Sequence, residues 1–221
     1  MKKRTIALLM AAVMLFGITV SGTIAWLQAT SLEVKNTFTF GEIEIDINET
    51  DNEDDDTSTK NNAYDLIPGD VSKKDPKVTV LSGSEKCYVY VKVTEINNTF
   101  GTGQDVILYE VDTDKWKLID STNSIYVYTN GGDEAYEVDA SGGNVDTALI
   151  LAEVNDISTN QPIENMHIRV NTELTEADIT AMETSGTPEI SFKACAVQSE
   201  HISQIEADEI AISKLITTTT P

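Results

Sequence analysis

The chain has 221 residues, with 37 Asp and Glu against 15 Lys and Arg, and a formal net charge of −22. Hydrophobic residues make up 40% and charged ones 24%, so there is material for a core, and the length suits one domain of moderate size. The acidic excess argues against a nucleic-acid binder and against docking on anionic lipid, and two His with two Cys are too few for most metal or redox frameworks.

Residues 1–25 read as a signal peptide. Lys2, Lys3 and Arg4 precede a stretch without charge from Thr5 to Leu32, and Ile6 to Val20 forms its apolar core. Thr23 and Ala25 fit the small pockets of a signal peptidase, which places cleavage between Ala25 and Trp26. The alternative is an uncleaved membrane anchor, against which Gly17, Gly22 and Thr23 speak. Cleavage leaves 12 basic residues and a net charge of −25 over 196 residues. Membrane contact is then expected only through the signal peptide before cleavage. No second apolar span and no LPxTG-like signal follows, so surface attachment is expected to be non-covalent or through partners.

Residues 26–221 read as one antiparallel β-sandwich domain. Leu32, Val34, Phe38 and Phe40 are apolar at even positions, whereas Ile43, Ile45 and Ile47 are apolar at odd ones. Gly41 marks either a β-bulge or a turn between two strands. Residues 49–62 lack apolar side chains and are expected to form a mobile acidic loop. Alternation resumes with Val89, Val91 and Val93, then with Ile125 and Val127 against Tyr126 and Tyr128. It recurs with Met166, Ile168 and Val170 against His167 and Arg169, and with Ile190, Phe192, Ala194 and Ala196 against Ser191, Lys193 and Cys195. One buried and one wet face is the expectation for each run. Gly and Asn punctuate the intervals at 101–103, 130–132 and 142–144. One or two short helices are predicted. Thr175 caps the first, with Asp178 in its first turn and Gly186 as its stop. Ser199 caps the second, with Ile202, Ile205 and Ile210 as its stripe. Residues 217–221 read as a flexible tail.

Five stretches in order resemble the TasA/camelysin family of secreted Gram-positive bacterial proteins, whose signal peptides are processed by a dedicated SipW-type peptidase. They are Gly22-Thr23-Ile24-Ala25-Trp26, Asn36-Thr37-Phe38-Thr39-Phe40-Gly41, Leu66-Ile67-Pro68-Gly69-Asp70, Cys87-Tyr88-Val89-Tyr90-Val91-Lys92-Val93 and Phe192-Lys193-Ala194-Cys195-Ala196-Val197-Gln198. The resemblance implies a jelly-roll β-sandwich, export to the cell surface or extracellular matrix, and assembly into biofilm-matrix fibres. In that assembly the N-terminal strand of one subunit completes the sheet of the next, which is β-augmentation. Here the donor would be Trp26 to Phe40, with Leu32, Val34 and Phe38 between, charged only at Glu33 and Lys35. The alternative is that this segment is the first strand of its own sandwich, and the chain as a whole could then be a non-polymerising surface accessory domain. Like charge on the mature domain is then expected to hold subunits apart until a strand contact or salt overcomes it.

Catalytic signals are scarce, and no cofactor is expected. The resemblance also raises a camelysin-like metalloprotease, but zinc hydrolysis wants three protein ligands, and His167 and His201 are 34 positions apart with no HExxH. His167 is expected on the wet face of its strand and His201 in the second helix. Ser82-Gly83-Ser84 reads as a turn, not a nucleophile elbow. Cys87 and Cys195 suit a disulfide better than a Cys-His nucleophile, provided that they lie on adjacent strands with matching orientation. Nine acidic residues lie between positions 42 and 56 without a base. Among them Asp51, Glu53, Asp54, Asp55 and Asp56 are candidates to collect Ca²⁺, against a plain solvated loop. Asp112, Asp114 and Asp120 form a weaker cluster around Trp116, which is expected in the core.

Overall fold

Valine-, isoleucine- and tyrosine-rich runs with a two-residue period become antiparallel strands, as their branched and aromatic side chains favour. The computed structural model describes residues 42–50, 63–101 and 103–217, and these belong to one compact unit, Gly41–Pro221. The fold is all-β and sandwich-like, with two helices among the described residues.

The largest sheet has the order β12-β4-β9-β8. Its strands are β4 (Cys87–Ile96), β8 (Trp116–Asp120), β9 (Ile125–Tyr128) and β12 (Glu189–Gln198). Beside it lie the sheets β1-β3-β10 and β2-β11-β7, built from β1 (Ile45–Asn48), β2 (Val71–Ser72), β3 (Lys77–Val80), β7 (Ile107–Tyr109), β10 (Val145–Asp146) and β11 (Ile168–Val170). A hairpin of β5 (Thr99–Phe100) and β6 (Gln104–Asp105) completes the set. Helix α1 is Glu176–Ser185 and helix α2 is Gln204–Ile216.

The main core lies between the large sheet and the two smaller ones. Val89, Val91 and Val93 of β4 face it, with Val78, Val80, Trp116, Ile150 and Ile168, and Ile43, Ile45 and Ile47 pack against it as their parity predicts. A second apolar cluster covers the opposite face of the large sheet, where Ala207, Ala211 and Leu215 of α2 lie on Tyr90, Ile125, Val127 and Val197. So the large sheet has no wholly wet face. Tyr126 and Tyr128 point into the main core, and Ile125 and Val127, expected there, point to the helix instead.

Helix α1 forms as the sequence indicates. Thr175 accepts from the Asp178 N–H in a capping box, and Gly186 ends the helix at φ 112°, where a Cβ would meet the Asn97 amide at 2.5 Å. Helix α2 starts later than expected, with Ser203 and Glu206 as its capping box. Ser199 cannot cap it, because its N–H donates to the Lys86 carbonyl at 2.9 Å and its hydroxyl donates to Glu137 at 2.7 Å. The buried stripe is Ala207, Ala211 and Leu215, and Ile205 and Ile210 are exposed. Alanine lets the helix axis approach the sheet, and the Tyr90 hydroxyl donates to Asp208 at 2.8 Å across that contact. No helix among the described residues is long and apolar enough to cross a membrane.

Candidate strand-accepting edge

β12 pairs with β4 in unbroken antiparallel register across all ten residues, from Glu189 opposite Ile96 to Gln198 opposite Cys87. The bond from Ser199 to Lys86 continues this register. In an antiparallel ladder alternate residues exchange bonds with one neighbour, and those between turn their backbone groups to the other side. The odd residues of β12 therefore bond β4. Ile190, Phe192, Ala194, Ala196 and Gln198 direct N–H and C=O to the outer side, where no backbone partner stands among the described residues. Their side chains, Gln198 apart, face the main core.

β1 runs beside this edge. The Leu81 N–H donates to the Glu44 carbonyl at 2.9 Å, which turns the even residues of β1 toward β3 and the backbone of Ile45 and Ile47 outward. Among the described residues, two strands whose outer sides meet no backbone partner thus border one corner of the sandwich. The far edge of the large sheet differs. β8 has five residues, carries a register shift between Leu118 and Asp120, and exposes Lys117, all features that blunt an edge. β12 has no such break, and its only charges are Glu189 and Lys193.

One end of the corner is closed by a charged cluster. Lys74, only 7% exposed, places Nζ 3.1 and 3.2 Å from the two Glu49 oxygens. The same ammonium lies 5.3 Å from the Tyr64 ring and 5.6 Å from the Phe192 ring, within cation–π range of both. Next to it, Asp75 accepts from the Thr50 N–H at 2.8 Å and from its hydroxyl at 2.7 Å, and pairs with Lys73 at 3.1 Å. Burial raises the Asp75 carboxyl, but the bonds from Thr50 and Lys73 outweigh it and hold the group below its usual range. The Tyr64 hydroxyl donates to the Lys73 carbonyl at 3.0 Å. A cavity of about 340 Å³ opens beside this cluster, lined by Tyr64, Leu66, Lys74, Ile107, Ile168 and Ile190.

Several expected site residues are placed differently. Glu49 is not part of a mobile loop, because Lys74 buries it. Cys87 and Cys195 are free and form no disulfide. Cys195 stands opposite Tyr90, three residues along β4 from Cys87, and the two thiols lie on opposite faces of the sheet. Burial pushes each thiol up to about 11, so neither is a thiolate nucleophile at neutral pH. His167 is not on a wet face. It is 1% exposed, its Nδ1 has no hydrogen-bond partner among the described residues, and burial lowers its pKa against the opposing pull of Asp75 and Glu153. His201 precedes α2 in a turn, with φ 67°, and is exposed.

Trp116 is fully buried, as expected. Its neighbouring carboxylates serve local turns: Asp112 accepts from the Asp114 N–H, and Asp120 accepts from the N–H groups of Thr122 and Asn123. Gly83, at φ 89°, confirms 82–84 as a turn. Among the described residues no three of His, Cys, Asp and Glu group as metal ligands. The cleavage residues Ala25 and Trp26, the donor residues Leu32, Val34, Phe38 and Phe40, the bulge or turn at Gly41, and Asp51, Glu53, Asp54, Asp55 and Asp56 lie outside the described residues. The Lys74–Glu49 pair was not foreseen. Its signal was Lys73-Lys74, the one doubled base after the N-terminus in a chain short of bases. No protein-family model, curated protein or solved structure matches the chain.

Proposed function

We propose that this chain is an exported structural protein, a subunit of cell-surface or matrix fibres that assembles when the segment Trp26 to Phe40 of one copy pairs with an open sheet edge of the next. The observation that carries the reading is the outer side of β12, ten regular residues whose even-numbered backbone groups find no partner among the described residues. The resemblance to the TasA/camelysin family supports it, and with it a jelly-roll arrangement of the strands. The same resemblance leaves a camelysin-like metalloprotease as the alternative reading, for which the sequence carries no HExxH motif.

The test compares three secreted forms by electron microscopy and sedimentation: residues 26–221, a form lacking 26–40, and 26–221 carrying Ala194→Pro. Proline at 194 removes an outward N–H and no bond to β4, so the fold tolerates it at an edge. Fibres are expected from the first form alone, with matching circular dichroism spectra for all three. Equal polymerisation of the three sinks the reading.

Charge gives a second expected result. The mature chain is strongly acidic, and among the described residues Lys73, Lys74, Lys77 and Lys86 are already held in ion pairs, Lys77–Asp146 at 2.6 Å and Lys86–Glu137 at 3.1 Å among them. Subunits therefore repel, and fibre growth followed by light scattering is expected to quicken from about 10 to about 150 mM salt as the Debye length shortens from roughly 30 to 8 Å. Growth that slows or stays constant means that the acidic surface is no brake.

A further inference from the structure

From the corner between β1 and β12 we infer that the Lys74–Glu49 pair is a bolt that holds this corner shut and gates strand pairing there. The inference rests on the strand-accepting reading of the β12 edge. Glu49 directly follows β1, and Lys74 lies in the segment that leads into β3. Phe192, the ring under the Lys74 ammonium, belongs to β12, and its own backbone groups turn to the open side. One ammonium thus joins the end of β1 to the edge strand that would receive a partner. Thr50 on Asp75 and the Tyr64 hydroxyl on the Lys73 carbonyl fix the same three-residue segment from two more sides.

The chemistry suits a latch better than a permanent weld. A buried ion pair offsets its own desolvation only while both partners stay in place, and losing one leaves a charge stranded in apolar surroundings. Here those surroundings are Tyr64, Phe192 and the cavity wall of Leu66, Ile107 and Ile168. An incoming strand that pairs at Phe192 engages the very residue on whose ring the Lys74 ammonium rests. The partner that opens the bolt is therefore a second copy of this chain, presenting a strand-forming segment of no net charge.

The experiment uses the secreted protein from cells that express the full chain, at a concentration where sedimentation shows monomer. Hydrogen exchange is compared among wild type, Lys74→Met and Lys74→Met/Glu49→Leu. The single variant strands Glu49, and the double variant restores an apolar contact without charge. In the single variant the β1 amides and that of Thr50 are expected to exchange at least about tenfold faster, with β4 and β9 unchanged, and fibre growth is expected to start sooner. The double variant is expected to return both to wild-type values or below. Should Lys74→Met not be recovered folded, Glu49→Gln replaces it, because its amide still accepts from Lys74 without charge. Faster exchange spread evenly over all strands, or no change at β1, overturns the bolt. Local opening without a change in fibre growth overturns its gating role. If wild type forms no fibres, the assembly reading fails, and the exchange data still decide whether the pair holds the corner.

Discussion

Replacing Trp116 by alanine is expected to remove about 3–5 kcal/mol of stability, the usual range for truncating a large core aromatic. Trp116 opens β8 and is fully buried against the main core. Its indole N–H donates to the Leu149 carbonyl at 2.9 Å, which ties β8 to the segment leading into Ile150. Its ring lies 5.1 Å from that of Tyr128, which in turn meets Tyr136 edge-on at 5.8 Å. Alanine deletes the packing, the stacking and the donor together. A domain of this kind has only about 5–15 kcal/mol in all, so the variant should lose a large share of its stability. Trp116→Phe keeps a ring against Tyr128 but leaves the Leu149 carbonyl without its donor, so an intermediate loss is expected. Urea titration followed by far-UV circular dichroism measures both. A loss below about 1 kcal/mol for the alanine variant would mean that the neighbours close the cavity.

Such a keystone was readable in the sequence, as was much of the strand pattern. Ile43, Ile45 and Ile47, the odd valines of β4 and the Thr175 cap all fall where local chemistry places them. The faces of the large sheet were not readable. Alternation reports which residues share a face but not which face is covered, and here a helix covers the second one. Tyr128 and Tyr90 complicate it further, since each buries its ring and sends its hydroxyl to a polar partner, Asn130 for the first and Asp208 for the second. Helix α2 hid its contact face because isoleucine outranks alanine in any hydrophobic pattern, whereas close approach to a sheet favours the small side chain.

The candidate edge was half legible. A donor segment without net charge can be recognised locally, and Trp26 to Phe40 stands out. The acceptor cannot, because β12 becomes an edge only through pairing with β4, about a hundred residues earlier in the chain. The Lys74–Glu49 pair has the same character. Each residue alone reads as a solvated surface charge, and only the fold brings Tyr64 and Phe192 around them. Long-range topology, not residue type, decides both.

His167 carries the other large expected effect, a loss of stability on mild acidification. Burial disfavours the imidazolium, so the folded pKa lies below the unfolded value of about 6.5. The unfolded chain then binds more protons in that window. Stability from this group is complete above about pH 6.5 and is lost as pH falls toward the folded pKa, by at most about 1.4 kcal/mol per pH unit for one proton. Asp75 and Glu153 face the ring and soften the effect, while Lys73 adds to it. Carboxylates held below their usual range, such as Asp75 and Glu137, also lose stability in acid, but in a lower window, beginning near pH 4. Asp208, raised first by burial, has the opposite sign. The window just below pH 6.5 therefore isolates His167. Because its Nδ1 finds no partner among the described residues, His167→Met gives up no hydrogen bond at that atom and is expected to be neutral or stabilising at pH 7.5. Urea midpoints at pH 7.5 and 5.5 should fall for wild type and stay nearly level for the variant. Equal slopes in the two proteins would show that the ring is protonated without cost, and that its burial is not what ties this fold to pH.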